Sequence, residues 1–279
     1  MTGVLDGKVV IVTGAGRGLG RAYAHDIARE GGTVLVNDVD ADTVATVVAE
    51  IRAAGGVAVE AVGSVSDWAE AESIVDMARR ELGRIDGLVN NAGLHWMGPA
   101  WEQAQQQIRD LVEVNILGAL FIGTLVSRVM VEQRSGAIVN ATSSAQMGIP
   151  NLATYGATKG ALASLTYGWA LDLGPKGIRV NAFSPSAVTR MVDPERVPTG
   201  HLREPDTNAP VVTYLLSDLA GAINGQVVQW RQGGLAIVGH PALTPHEVRR
   251  DSWTAQSVAD EFGPVLVAHS EPVGWKIGS

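Results

Sequence analysis

Cysteine is absent from the 279 residues. That absence excludes disulfides, thiolate metal sites and a thiol nucleophile together. Histidine is scarce. The chain has six, none paired at metal-ligand spacing, and the nearest two, His240 and His246, lie in a Pro-rich tail. No metal site is expected. There is no basic stripe either: 21 Lys and Arg are scattered among 29 Asp and Glu, for a net charge of −8, which argues against a nucleic-acid partner. Uninterrupted apolar stretches run to about six residues, far short of the ~20 that cross a bilayer. The first seven residues carry no basic region followed by a cleavable apolar run, so no signal peptide is read. These absences predict a soluble, cytoplasmic protein with no membrane partner.

What is present suits a large core. Apolar residues make up 46% of the chain and charged residues 18%, which leaves little room for disorder. Val/Ile-rich runs at 8–12, 33–37, 57–62, 87–90, 137–141, 178–183 and 226–230 lack polar alternation, as strands buried on both faces do. Amphipathic segments fill the gaps at 19–30, 42–54, from Asp67 to Leu82, and at 108–133, 155–173 and 210–217. The first two end at Gly31-Gly32 and Gly55-Gly56, and Asp67 is placed to cap the third. Alternating β and α predicts an α/β protein: one Rossmann-type, doubly wound parallel sheet of about seven strands with helices on both faces. The domain is expected to span residues 1–239. Residues 240–279, polar and Pro-bearing, read as a C-terminal arm over the active site or an oligomer interface, too short to fold alone.

The first strand runs into Thr13-Gly14-Ala15-Gly16-Arg17-Gly18-Leu19-Gly20. The spacing is TGxxxGxG, with Gly14, Gly18 and Gly20. Such a loop gives a tight turn, close backbone approach to a pyrophosphate and a helix N-terminus aimed at the anion. The second strand ends at Asp38, a carboxylate able to accept both ribose hydroxyls of NAD and to repel a 2′-phosphate. Arg17 argues the other way, since a guanidinium can meet a phosphate. Asp38 carries more weight, so NAD is expected over NADP.

Tyr155 and Lys159 stand four apart, on one helical face. A free Tyr, with its pKa of about 10, is a poor acid–base at neutral pH. An adjacent ammonium favours the phenolate. Alone this spacing says little; its company gives it meaning. The chain resembles the short-chain dehydrogenase/reductase family over residues 5–239. The motifs that carry the resemblance are TGAGRGLG, Asn90-Asn91-Ala92-Gly93, Val114-Asn115-Ile116, the Ser143-Ser144 pair, YxxxK, and Arg179-Val180-Asn181 leading to Pro185, in that order.

The resemblance implies roles. Tyr155 is the general acid–base, and Lys159 lowers its pKa and holds the nicotinamide ribose. Asn115 anchors a water relay to Lys159, and a Ser orients the substrate oxygen. The register of the fifth strand selects Ser143, whereas the family's usual spacing back from Tyr155 falls on Thr142; Ser143 is chosen, with Ser144 lining the pocket. Asn91, Ala92 and Gly93 lie by the cofactor, as do Leu19, Val65 and Pro185, and Val188 and Thr189 meet its carboxamide end. Ser64 stands where the family usually has an acid against adenine, and Ser186 where it has Gly. The chain is also short between Pro185 and Gly233. Within the family, Val36-Asn37-Asp38 and the segment 185–191 are similar to the dehydrogenase part of multifunctional β-oxidation enzymes.

Pocket candidates follow the motifs: His95, Trp96 and Met97 after the Asn-Asn-Ala-Gly turn, Ser144, Gln146, Met147 and Leu152 before Tyr155, and Met191. Trp96 and the methionines suit a small-molecule substrate that is apolar and bulky or cyclic. The expected activity is NAD-dependent interconversion of a secondary alcohol and a ketone. A 3-hydroxyacyl thioester dehydrogenase is the alternative enzyme, although no Arg/Lys cluster awaits a CoA phosphate. A non-catalytic dinucleotide sensor is the alternative class. The resemblance further implies a homo-oligomer, dimer or tetramer, formed through the helices at 108–133 and 155–173.

Overall fold

In β1 (Val9–Thr13) every residue is buried, and the side chains alternate between two cores. Val10 and Val12 face one helical layer and Ile11 the other, the period-2 geometry of a strand covered on both sides. The computed structural model describes residues 3–187, 204–231, 233–270 and 274. In chain order these hold α1 (Gly18–Arg29), β2 (Thr33–Asp38), α2 (Ala41–Ala53), β3 (Val57–Val62), α3 (Trp68–Leu82), β4 (Gly87–Asn90), α4 (Gln105–Val112), α5 (Ala119–Gln133), β5 (Gly136–Ala141), α6 (Ala153–Leu173), β6 (Ile178–Ser184), α7 (Ala209–Leu216), β7 (Val227–Arg231) and β8 (Gly234–Val238).

The strands form one sheet in the order β3-β2-β1-β4-β5-β6-β7-β8, parallel throughout except for β8, which returns antiparallel to β7. Chain order reverses between β1 and β4, so a crevice opens there at the strands' C-terminal ends. Tyr23, Ile27, Val48, Ile51, Val211 and Leu215 from α1, α2 and α7 cover one face. Ile74, Ala78, Ile122, Val126 and Val129 from α3 and α5 cover the other.

The helix boundaries follow their sequence signals. Gly31 and Gly55, just past α1 and α2, take φ of +89° and +85°, where a side chain would be strained. Asp67 caps α3 by accepting from the Glu70 amide at 2.9 Å.

Three expectations need correction. The sheet has an eighth strand, β8, antiparallel to β7, where about seven strands were expected. Not every strand is buried on both faces: β3 is an edge strand whose Val57 and Val62 are 56% and 49% exposed. The segment expected as one helix at 108–133 begins at Gln105 and is interrupted by a π-helical turn, Glu113–Gly118. The whole run Gln105–Gln133 is, by length and mean hydropathy, apolar enough to cross a membrane, although half of its most apolar window is buried inside the fold. Short uninterrupted apolar stretches therefore did not reveal how apolar this helix is.

Candidate active site

The glycine loop after β1 is built for close approach. Gly14 and Gly18 take φ of +62° and +54°. A Cβ on Gly14 would stand 2.8 Å from the Ala92 Cα, and one on Gly20 only 2.1 Å from the Gly14 carbonyl oxygen. Asp40 caps α2 and Asp67 caps α3, but Arg17 at the start of α1 makes no side-chain cap and the first turn has no acid. The amides at that N-terminus therefore keep their capacity for an anion. Leu19 packs against the core beneath the loop. These residues fit a dinucleotide's pyrophosphate.

Asp38, at the end of β2, turns its carboxylate toward this loop. Its Oδ2 accepts from the Gly16 amide at 3.0 Å and its Oδ1 from the Val39 amide at 2.8 Å. Arg17 points elsewhere and pairs with Asp40 at 2.9 Å. That pair is exposed and worth about 0–1 kcal/mol, so it does not fix Arg17. The fixed charge at the loop is Asp38. Ser64, after β3, bonds Ser66 through its hydroxyl at 2.8 Å, and Val65 is buried against Gly118.

Thr13 ties the loop to the turn after β4. Its hydroxyl oxygen accepts from the amides of Asn91 and Ala92, each at 3.0 Å, and Asn91 Nδ2 donates back to the carbonyls of Thr13 and Gly14 at 2.9 and 3.1 Å. Gly93 lies close to both Asn115 and Lys159: a Cβ there would be 3.2 Å from Asn115 Oδ1 and 3.6 Å from Lys159 Nζ. Asn115 sits in the π-helical turn, fully buried. Its side chain accepts from the Leu94 amide at 2.6 Å and donates to the Leu94 carbonyl at 2.9 Å and to Thr158 Oγ1 at 3.0 Å. Asn115 thus pins the Leu94 backbone to α6.

Tyr155 and Lys159 lie one turn apart on α6, with Lys159 Nζ 5.8 Å from the centre of the Tyr155 ring. Lys159 is buried and donates to the Ala141 carbonyl at 2.8 Å. Burial pushes its ammonium down to about 8. Burial pushes the Tyr155 hydroxyl up to about 12, and a hydrogen bond with Ser143 pulls the other way. Of the two hydroxyls open to the sequence, Ser143 is the one that bears on the Tyr155 pKa, and it accepts from the Ala145 amide at 3.2 Å, whereas Thr142 Oγ1 is buried without a partner among the described residues. The His95 ring stands edge-on to Tyr155 at 4.7 Å, and burial, with the nearby Lys159 charge, keeps that imidazole below its ordinary pKa. A hydroxyl pair, an ammonium and a neutral imidazole thus meet at the C-terminal ends of β4 and β5, beside the glycine cradle.

A family pattern described as short chain dehydrogenase matches residues 8–198. The chain belongs to the short-chain dehydrogenase family. It is 33% identical over 245 residues to 3-oxoacyl-(acyl-carrier-protein) reductase of Thermotoga maritima, covering 84% of this chain and 99% of that one. It is 35% identical over 250 residues to meso-2,3-butanediol dehydrogenase of Serratia marcescens, covering 85% and 98%. Among solved structures, a short chain dehydrogenase from Mycobacterium avium superposes with a TM-score of 0.88 at 30% identity, over 99% of this chain and 100% of that one. Gluconate 5-dehydrogenase from Burkholderia cenocepacia in complex with NADP and tartrate superposes at 0.77 and 30% identity, over 82% and 95%. NAD+-bound xylitol dehydrogenase does so at 0.77 and 31%, over 82% and 99%. The protein is an oxidoreductase of a family that binds nicotinamide dinucleotides.

Other residues of this short-chain dehydrogenase fall around the same centre. Ser144, Gln146 and Met147 form a short turn that Ser143 opens by accepting from the Ala145 amide at 3.2 Å. The turn lies on the start of α6: a Cβ on Gly156 would be 2.4 Å from the Ala145 carbonyl oxygen. Trp96 packs over Gly98, whose amide donates to the Asn151 carbonyl at 2.9 Å, next to Leu152; Trp96, Met97 and Leu152 are all partly buried. Pro185 follows β6 at the same end of the sheet. Val188, Thr189 and Met191 lie outside the described residues.

Several residues of the site carried no assigned role in the sequence. Thr13 stands inside the glycine motif itself. Thr158, inside YxxxK, accepts from Asn115 and donates to the Tyr155 carbonyl at 2.8 Å. Asn208 holds the loop after β6 through the Ser186 amide and carbonyl at 3.1 and 3.2 Å. Asn90, Asn140 and Thr166 form a buried chain with links of 2.9 Å each. Polar residues within otherwise apolar strands were the available signal for Asn90 and Asn140. By contrast, a 620 Å³ cavity lined by Lys8, Arg84 and Arg179 lies at the opposite, N-terminal ends of the strands, away from this chemistry.

Proposed function

We propose that this protein is an NAD-dependent dehydrogenase that interconverts a secondary alcohol and a ketone on an apolar, bulky or cyclic substrate. The observation that carries the reading is Tyr155 one turn from buried Lys159, with Ser143 at the end of the neighbouring strand, beside an uncapped glycine-loop helix. Asp38 supports NAD over NADP, because its carboxylate, held by the Gly16 amide, would face a 2′-phosphate with like charge. Bound nicotinamide supplies the hydride acceptor or donor. Tyr155 takes the alcohol proton in oxidation and returns it in reduction. Ser143 holds the same oxygen, fixing the carbinol carbon for transfer. Lys159 favours the phenolate by its charge. The partly buried Trp96, Met97 and Met147 form the apolar wall.

The protein also acts as a homo-oligomer in this reading. Leu120, Leu165 and Trp169 line an apolar groove between α5 and α6 that a second copy's helices would fill.

The test is Tyr155→Phe. Turnover of cyclic and aryl secondary alcohols with NAD should fall at least about a hundredfold, while NADH still binds with unchanged affinity by fluorescence titration. Retained turnover would overturn the acid–base assignment.

A further inference from the structure

A polar chain of three side chains runs through the apolar core. Asn90 on β4 donates to Asn140 Oδ1 on β5, and Asn140 Nδ2 donates to Thr166 Oγ1 on α6, each at 2.9 Å. All three are buried. The Thr166 hydroxyl gives its own proton to the Leu162 carbonyl at 2.8 Å. It can therefore only accept from Asn140, which sets that amide with Nδ2 toward α6 and Oδ1 toward Asn90. Apolar side chains could fill the same space without burying amides. What they would lack is direction: a hydrogen-bonded chain holds one register between two elements, whereas an apolar contact lets them slide.

The register concerned is that of the acid–base pair. Because α6 connects the parallel strands β5 and β6, it runs back along β5. Lys159, Leu162 and Thr166, at i, i+3 and i+7, are buried on one face of it. Two side-chain bonds tie that face to adjacent residues of β5: Asn140 holds Thr166, and the Ala141 carbonyl accepts from Lys159 Nζ at 2.8 Å. The second is the single hydrogen bond of Lys159 among the described residues. Building on the dehydrogenase reading, we infer that Asn140 and Thr166 are positioning residues: their bond sets α6 along β5 so that the Lys159 ammonium meets the Ala141 carbonyl, one turn from Tyr155. Both act through Lys159, from inside the core. Loss of the Thr166 hydroxyl leaves Asn140 Nδ2 buried without a partner. Strand and helix shift to relieve it, and the Ala141 carbonyl moves off the ammonium. A buried ammonium with a weakened acceptor gives up its proton more readily. The titratable groups that face Lys159, Tyr155 on α6 and His95 on the turn after β4, are not themselves altered.

The chain has four lysines, Lys8, Lys159, Lys176 and Lys276. Lysine labelled with 13C at Cε therefore gives four signals, whose titration NMR follows in the full protein without substrate or cofactor. Lys159→Arg assigns the Lys159 signal by its loss. In the wild type that signal should titrate at about 8. In Thr166→Val, similar in shape but without the hydroxyl, the midpoint should fall by at least ~0.5 pH unit. Thr166→Ser, which restores the hydroxyl, should return it to the wild-type position. Thr166→Cys, a weaker acceptor, should give a smaller fall and serves if Thr166→Val does not fold. Ile74→Val, a core change on α3, should lower the melting temperature without moving the midpoint.

A midpoint within ~0.2 unit of wild type in Thr166→Val, or one that rises, overturns the inference. So does an equal fall in Ile74→Val, which would make the effect one of general loosening. Activity then separates this role from the reading beneath it. The alkaline limb of kcat/KM for ketone reduction with NADH should move with the NMR midpoint. A midpoint that falls while the limb stays would keep Asn140 and Thr166 as the groups that place Lys159, and would sink the part of the dehydrogenase reading that needs its charge.

Discussion

Tyr155 and Lys159 are shifted in opposite senses by one cause. Burial disfavours each charged form, raising the phenol to about 12 and lowering the ammonium to about 8. Ketone reduction needs Tyr155 protonated and Lys159 charged. The first condition holds up to about 12 and the second only below about 8. Reduction should therefore be level at lower pH and decline as pH rises through about 8. Oxidation needs the phenolate beside the ammonium. That form grows about tenfold per pH unit while both groups keep their protons, then levels as Lys159 loses its own. Profiles of kcat/KM in both directions check this, and a reduction limb still flat at about pH 10 would remove the Lys159 charge from the mechanism. At the same scale, Asp38→Ser deletes the fixed carboxylate at the ribose end of the cradle. The NAD to NADP ratio of kcat/KM should fall at least about tenfold; an unchanged ratio would mean that cofactor choice is made elsewhere.

At the scale of elements, much of the fold could be read in the chain because burial on both faces leaves a direct mark. Seven strands appear as Val/Ile runs, and β1, β4 and β5 are buried nearly end to end. The edge strands mislead for the same reason in reverse. β3 keeps an apolar composition while two of its valines face solvent, and β8 is exposed along most of its length. The turn before β8 did carry a signal, Gly233-Gly234 followed by an apolar run, with Gly233 at φ +85°. The π-helical turn around Asn115 carried none. It coincides with three bonds that Asn115 makes to Leu94 and Thr158, and local periodicity is blind to partners brought in by the fold. The site divides in the same way. Tyr155, Lys159 and Ser143 were legible because one helix and one strand end present them in a fixed order. Thr13 and Asn208 serve backbone groups supplied by distant segments, so only the assembled sheet reveals them.

At the scale of the whole molecule, the solved relatives match different shares of the chain. The gluconate and xylitol dehydrogenase structures cover 82% of this chain, whereas the Mycobacterium avium structure covers 99%. The arm leaves the sheet beside β7, where the His240 Nε2–H donates to the Gly225 carbonyl at 2.8 Å and its ring lies 4.5 Å from Tyr167 on α6. A helical run, Ala255–Ser257, Val258–Phe262 and Gly263–His269, then folds back so that His269 stacks on His246 at 3.5 Å. Gly274 comes to rest near Gly148: a Cβ there would be 3.7 Å from the Gly148 carbonyl oxygen. Gly148 directly follows the turn that carries Gln146. An arm pinned at β7 and returning to the substrate turn of its own chain should confine substrate while leaving the glycine cradle untouched. Removal of residues 240–279 should raise the KM for the alcohol several-fold with no change in NADH affinity. The arm also leaves Leu266 and Val267 52% and 83% exposed. If the arm serves assembly as well, the truncated protein will sediment as a smaller species. A truncated enzyme with the same KM and the same sedimentation coefficient would exclude the arm from both roles.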